Sequence, residues 1–185
     1  MRQLLISVCC LLLFSGSALA VNVYDIDLPD KVTVAGKDLQ LNGYGLRKKV
    51  FFKVYLGSLY TEAKATTTEQ VLTLAGPKLI RMNFIYKKVD REKITAAFAE
   101  GFEKNSPQLK GKPELKQFLD LFTDDFVAGD QVDLELAADG AVSARHNSKM
   151  LGSVSSPTLA KAVLLIYLGK APASGDLKKG MLGGK

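Results

Sequence analysis

Gly43-Tyr44-Gly45-Leu46-Arg47-Lys48-Lys49-Val50-Phe51-Phe52-Lys53-Val54-Tyr55-Leu56-Gly57-Ser58-Leu59-Tyr60 is the stretch on which the fold turns. The glycines at 43 and 45, with Arg47 two residues on, read as a turn that feeds a long strand. Val50, Phe52, Val54 and Leu56 line one face of that strand, and Phe51, Tyr55 and Leu59 line the other, mixed with Lys49 and Lys53. A strand apolar on both faces is covered on both faces. Arg47 beside such a strand has two readings. It receives a carboxylate or phenolate, or it sits on a surface turn at the start of a core strand with solvated lysines.

Before this stretch, Val21 to Leu41 reads as short strands, with a hairpin at Ala35-Gly36-Lys37. After it, Thr66-x-x-Glu69 is a capping box for a short helix carrying Val71 and Leu72, which Gly76-Pro77 stops. Lys78 to Tyr86 is a strand with Ile80, Met82, Phe84 and Tyr86 on one face. Asp90 precedes a helix whose stripe is Ile94, Ala97, Phe98, Gly101 and Phe102. Pro113 opens the next, with Leu115, Phe118, Leu119 and Phe122. Val132, Leu134 and Leu136 alternate with polar residues, Asp139-Gly140 turns the chain, and Val142 and Ala144 return. Ser156-Pro157 opens a last main helix with Leu159, Ala162, Val163, Ile166 and Tyr167 inward, ended by Gly169. The tail from Gly175 to Lys185 adds one short helical turn and then frays. Hairpins predominate and helices cluster late, which is the pattern of an α+β domain rather than a doubly wound parallel sheet.

Residues 1 to 20 read as a signal peptide: basic Arg2, an apolar run from Leu4 to Phe14, and the cleavage signal Ala18-Leu19-Ala20. The apolar run is too short to span a bilayer. Residues 21 to 185 then form one exported domain, periplasmic or secreted, with no stable membrane insertion after cleavage. Cys9 and Cys10 leave with the signal, so neither a disulfide nor a cysteine nucleophile remains. Loss of Arg2 takes the net charge from +6 to +5. The lysines occur as separated pairs, not as the concentrated stripe that nucleic acid requires. A mild attraction to anionic ligands or membrane surfaces remains.

Catalytic signatures are scarce. His146 is the single histidine, which excludes a multi-histidine metal site, and it reads as a surface residue on a return strand. Asp124-Asp125 reads as a solvated helix end, because adjacent residues on an element do not face one another. Gly43-x-Gly45 lacks the third glycine and the helix of a dinucleotide loop. No cofactor or metal site is expected.

The quoted stretch resembles the chalcone isomerase-like family: a glycine pair and arginine, then Lys53-Val54-Tyr55 and Tyr60. The resemblance continues through Lys78-Leu79-Ile80-Arg81 and the following helix, and returns at Ala162-Val163-Leu164-Leu165-Ile166-Tyr167-Leu168-Gly169. It implies an antiparallel sheet with a layer of helices on one side and a ligand cleft between them. In the isomerases an arginine and polar groups stabilise a phenolate and a developing enolate. Here Arg47 is kept, but Tyr55 falls where a threonine stands, and Lys93 and Glu100 fall where a tyrosine and an asparagine stand. The non-catalytic relatives bind fatty acids, and their strand carries a tyrosine like Tyr55. The resemblance therefore implies a binder of a fatty acid or similar amphipathic carboxylate, held by Arg47 and Tyr55 in a cleft lined by Phe51, Phe84, Phe98 and Leu159. The alternatives are an isomerase or lyase acting on a phenolic or enone substrate, and an envelope protein serving protein contacts alone. One geometric condition attaches to the pair. Eight residues of unbroken strand span about 27 Å, so Arg47 and Tyr55 converge only if the chain turns or bulges near Lys48-Lys49.

Overall fold

The strands assemble into a seven-stranded sheet in the order β11-β10-β9-β6-β5-β4-β3, with every neighbouring pair antiparallel. The structure is a computed structural model that describes residues 20–184, so the signal peptide expected over residues 1 to 20 lies, but for residue 20, outside the described residues. The elements run β1 (Ala20–Val23), β2 (Ile26–Pro29), β3 (Lys31–Val34), β4 (Lys37–Lys49), β5 (Phe52–Thr61), α1 (Thr68–Thr73), β6 (Lys78–Phe84), β7 (Lys88–Val89) and α2 (Arg91–Asn105). They continue with α3 (Pro113–Asp120), β8 (Phe126–Val127), β9 (Gln131–Leu136), β10 (Ala141–His146), β11 (Lys149–Ser155), α4 (Pro157–Leu168) and α5 (Gly175–Met181). β1 and β2 pair as a separate hairpin, and β7 pairs with β8.

The helices cover one face of the sheet, as the α+β reading requires. The main core lies there, between Tyr55, Leu59, Ile80, Met82, Phe84 and Leu134 of the sheet and Phe98, Phe102, Leu159, Val163 and Tyr167 of the helices. The opposite face carries a second, smaller core of Leu28, Leu39, Leu41, Leu56, Tyr60 and Leu79, against which Val23 and Ile26 of the β1–β2 hairpin pack. β5 is thus apolar on both faces because both faces are covered.

The stretch from Gly43 to Tyr60, expected as a turn feeding one long strand, is two strands. β4 runs through the glycines to Lys49, the chain reverses at Val50-Phe51, and β5 returns from Phe52. The hydrophobic run misled because it contains an exposed tip: Val50 is 77% and Phe51 92% exposed. The apolar pattern therefore joined an interior strand to a solvent-facing turn.

Gly43 and Gly45 are not a turn either. They lie mid-strand, beside a register shift between Leu41 and Gly43, and they let α5 settle directly on the β4 backbone. A Cβ on Gly45 would come within 2.8 Å of the Leu177 Cα, and one on Gly43 would strike the carbonyl oxygen of Gly180. Asn42, 5% exposed, ties the contact together. Its Nδ2 donates to the Met181 carbonyl at 2.7 Å and the Ala65 carbonyl at 2.8 Å, and its Oδ1 accepts from the Ala65 N–H at 2.7 Å. The expected fraying of the tail is corrected by this: α5 is a seven-residue helix whose Leu177 and Met181 are fully buried.

Three local expectations shift. The capping box uses Thr67 and Gln70, one residue on from Thr66 and Glu69. A further edge strand, β11, follows a turn at Asn147 and Ser148, both with positive φ. Asp125 is more than a solvated end: its carboxylate accepts the Arg91 N–H at 3.0 Å at the start of α2 and pairs with Lys88 at 2.8 Å.

Candidate functional site

The turn at Val50-Phe51 brings the two arms of one hairpin together, and Arg47 of β4 stands directly opposite Tyr55 of β5 in the ladder. A register shift between Arg47 and Lys48 adds the bulge that the geometric condition allowed. Opposite residues of an antiparallel pair share a face. That face is the helix side, because Tyr55 belongs to the main core and is 6% exposed. One strand further, Phe84 is the partner of Tyr55 across β5 and β6, with ring centroids 5.6 Å apart. Phe84 in turn stacks on Phe126 at 4.8 Å.

Tyr167, from α4, completes the group and was missed as a functional residue. The apolar stripe of that helix placed it inward, but only the signal that a buried phenol needs a partner could have given it a role. It is fully buried, and its hydroxyl donates to the Met82 sulfur at 3.2 Å. Burial pushes the Tyr55 phenol up to about 12, against the opposing pull of the Arg47 charge and a hydrogen bond with Tyr167. Burial also raises Tyr167 well above its ordinary value, helped by neighbouring Tyr55 and opposed by Arg47. Arg47 lies within reach of α2 as well. The Glu100 carboxylate is held below its usual range first by Lys104, at 2.5 Å, and then by Arg47 and Lys49. The Arg47 Nη1 donates to the Lys48 carbonyl oxygen.

The chemistry is that of an anion receptor. A guanidinium is charged at every physiological pH and offers a planar fork of donors. Two phenols whose burial raises them above their ordinary range, Tyr55 to about 12, can donate hydrogen bonds but cannot serve as bases near neutrality. The carboxylate in reach, Glu100, is engaged by Lys104. His146 is not the surface residue expected. Its side chain is 13% exposed, lies 3.1 Å from Asp130 and packs on Phe126 at 5.1 Å.

The expected lining residues divide. Phe84, Phe98 and Leu159 are buried on the helix side with Tyr55. Phe98 reaches Phe118 and Phe122 at 5.6 and 5.1 Å, so it sits between α2 and α3. Phe51 does not line a cleft, because it forms the solvent-facing tip of the hairpin. Two surface clefts lie elsewhere. One of about 830 Å³ runs between β4 and α5 past Asn42, Gly45, Lys64 and Lys179, and one of about 530 Å³ lies between α1 and α4. Neither is lined by Arg47 or Tyr55; the space beside Tyr55 is filled by aromatic rings. Among the described residues no group of histidines, cysteines and carboxylates is placed to hold a metal ion, and no helix is long and apolar enough to cross a membrane.

On the other face of the sheet, Arg81 and Asp133 form a two-pronged pair at 2.8 Å for each contact, with Gln131 also donating to Asp133. The buried Ser58 Oγ and Tyr60 hydroxyl of β5 and the Asn83 Nδ2 of β6 have no hydrogen-bond partner among the described residues. The Arg81 guanidinium lies 5.7 Å from the Tyr60 ring centre, a cation over a buried aromatic face.

The crystal structure of a fatty-acid binding protein from Arabidopsis thaliana superimposes with a TM-score of 0.70 over 89% of this chain and 96% of that one, at 18% sequence identity. Such low identity carries the fold alone. No curated protein matches the sequence. A family model described as chalcone isomerase-like matches residues 20–183. With that match over nearly the whole described chain, and with the sheet-and-helix architecture to go with it, the protein belongs to the chalcone isomerase-like family.

Proposed function

We propose that this protein is an exported, non-catalytic binder of a fatty acid or similar amphipathic carboxylate, with Arg47 and Tyr55 as its anchor. The observation that carries the reading is the cross-strand placement of Arg47 against Tyr55 on the helix-facing side, with Tyr167 beside them. A carboxylate there gains a charge-assisted fork and neutral hydroxyl donors. The fatty-acid binding protein of shared fold supports the same ligand class. Export rests on the signal-like first twenty residues. The isomerase reading gains no support: Lys93 and Glu100 occupy α2 where its polar pair belongs, and no group at the anchor is poised to move a proton near neutrality.

The acyl chain takes its place by moving rings. Phe84 and Phe126 fill the space beside Tyr55 and are almost fully buried, so an acyl chain enters there only by displacing packed rings. Calorimetric titration with palmitate tests the anchor. Arg47→Ala loses about 1.5–3 kcal/mol of affinity, roughly 10- to 150-fold, and Tyr55→Phe about 0.5–1.5 kcal/mol. Equal affinity of wild type and Arg47→Ala removes the anchor from Arg47.

A further inference from the structure

We infer that the tip of the β4–β5 hairpin is a docking element for the surface of an anionic phospholipid bilayer. Val50, Phe51 and Phe52 are 77%, 92% and 57% exposed, and Tyr86, 37% exposed, stands edge-on to Phe52 with ring centroids 5.3 Å apart. Four large apolar side chains thus share one end of the molecule. Scattered exposed apolar residues need no explanation, but a contiguous aromatic group at a protruding turn does. The turn is also held at a cost: Val50 adopts φ 55°, a left-handed conformation that a β-branched residue rarely takes. Asparagine or glycine would relax that backbone and remove the apolar tip.

Charge identifies the partner. Lys48, Lys49, Lys53 and Lys87 are exposed around the aromatics, and none forms an ion pair with a carboxylate among the described residues. Lys53 lies over the Tyr24 ring at 4.2 Å. The acids facing this end are already engaged: Glu100, within reach of Lys49, pairs with Lys104, while Asp125 pairs with Lys88 and Asp90 with Lys93. An aromatic knob ringed by free cations is the arrangement that enters the headgroup region of an anionic leaflet. Its shape argues against a protein interface, which uses about 20–30 residues a side and good complementarity, whereas a convex two-residue turn with four apolar side chains fits a soft partner. This inference is independent of the carboxylate anchor. If both hold, the anchor sits three ladder pairs, about 10 Å, from the inserted tip, within reach of an amphiphile leaving the bilayer.

The chain has no tryptophan, so Phe51→Trp reports on the tip alone. The protein should be freed of residues 1–20, because the apolar leader would bind vesicles itself. Its Phe51→Trp emission is then recorded with vesicles of phosphatidylglycerol and phosphatidylcholine, and cosedimentation is measured for wild type, Phe51→Asp/Phe52→Asp and Lys48→Gln/Lys49→Gln. The inference expects a blue shift with the mixed vesicles at low salt that fades in pure phosphatidylcholine or high salt. It expects partitioning about 25-fold weaker in the lysine variant, at about fivefold per lysine, and at least about tenfold weaker in the aspartate variant. Circular dichroism confirms that each variant is folded. Three results overturn it: no shift and no cosedimentation at low salt; vesicle binding unchanged by the aspartates; or a wild-type dimer that the aspartates dissolve without any vesicle binding, which makes the tip an interface between copies.

Discussion

The two ends of the β4–β5 hairpin are written in nearly the same letters and meet opposite fates. At the base, Tyr55, Leu56, Leu59 and Tyr60 are at most 6% exposed, gripped between the helix-side core and the smaller core under the β1–β2 hairpin. At the tip, Val50, Phe51 and Phe52 stand in solvent. Lysines punctuate both the tip and the run into it. Hydrophobicity states that a segment is better off out of water, but not what takes it out. At the base the protein itself does so, and at the tip something outside it must.

Truncation at matched positions is the sharpest way to break that contrast. Phe84→Ala, beside Tyr55, removes a fully packed ring and costs about 3–5 kcal/mol of unfolding free energy. Phe51→Ala changes stability by less than about 0.5 kcal/mol. Denaturant melts of the two variants decide it, and similar losses would mean that the tip packs in solution. Gly43→Ala comes next. Its Cβ collides with the backbone of α5, which has no flexible side chain to swing aside, so we expect a loss of about 1–3 kcal/mol and early proteolysis after residue 170.

The third prediction sharpens the base through pH. In the unfolded chain a tyrosine ionises near 10.0, while folded Tyr55 keeps its proton to about 12 and Tyr167 is raised as well. The folded state therefore holds protons that the unfolded state has released, and stability falls as pH rises from 10 to about 12. The loss is at most about 1.4 kcal/mol per pH unit for each phenol. Tyr55→Phe removes its share, which urea melts at pH 9 and 11 would show as a smaller difference between the two.

Much of this architecture was legible in the chain because its signals were periodic. The stripe Leu159, Ala162, Val163, Ile166 and Tyr167 gave α4, Ile94, Phe98, Gly101 and Phe102 gave α2, and Asp139-Gly140 gave the β9–β10 turn. What failed was punctuation. Glycine permits a turn, which is what Gly43 and Gly45 suggest in the sequence, whereas here it permits a backbone to lie against a backbone, which depends on residues 177 to 183, far along the sequence. Val50-Phe51 carries no turn residues at all, so the true reversal was invisible to turn chemistry. That same reversal is what places Arg47 against Tyr55. Family resemblance points to the pair, while the role of Tyr167 follows only from the packing of α4 across the sheet.

Native mass spectrometry of the processed protein and its Arg47→Ala variant, each released gently after incubation with palmitate, bears most directly on the anchor. We predict one retained fatty acid per wild-type chain and a predominantly empty variant of unchanged fold. An empty wild-type protein, or equal retention by both, would contradict the assignment of Arg47 and Tyr55 as the carboxylate anchor.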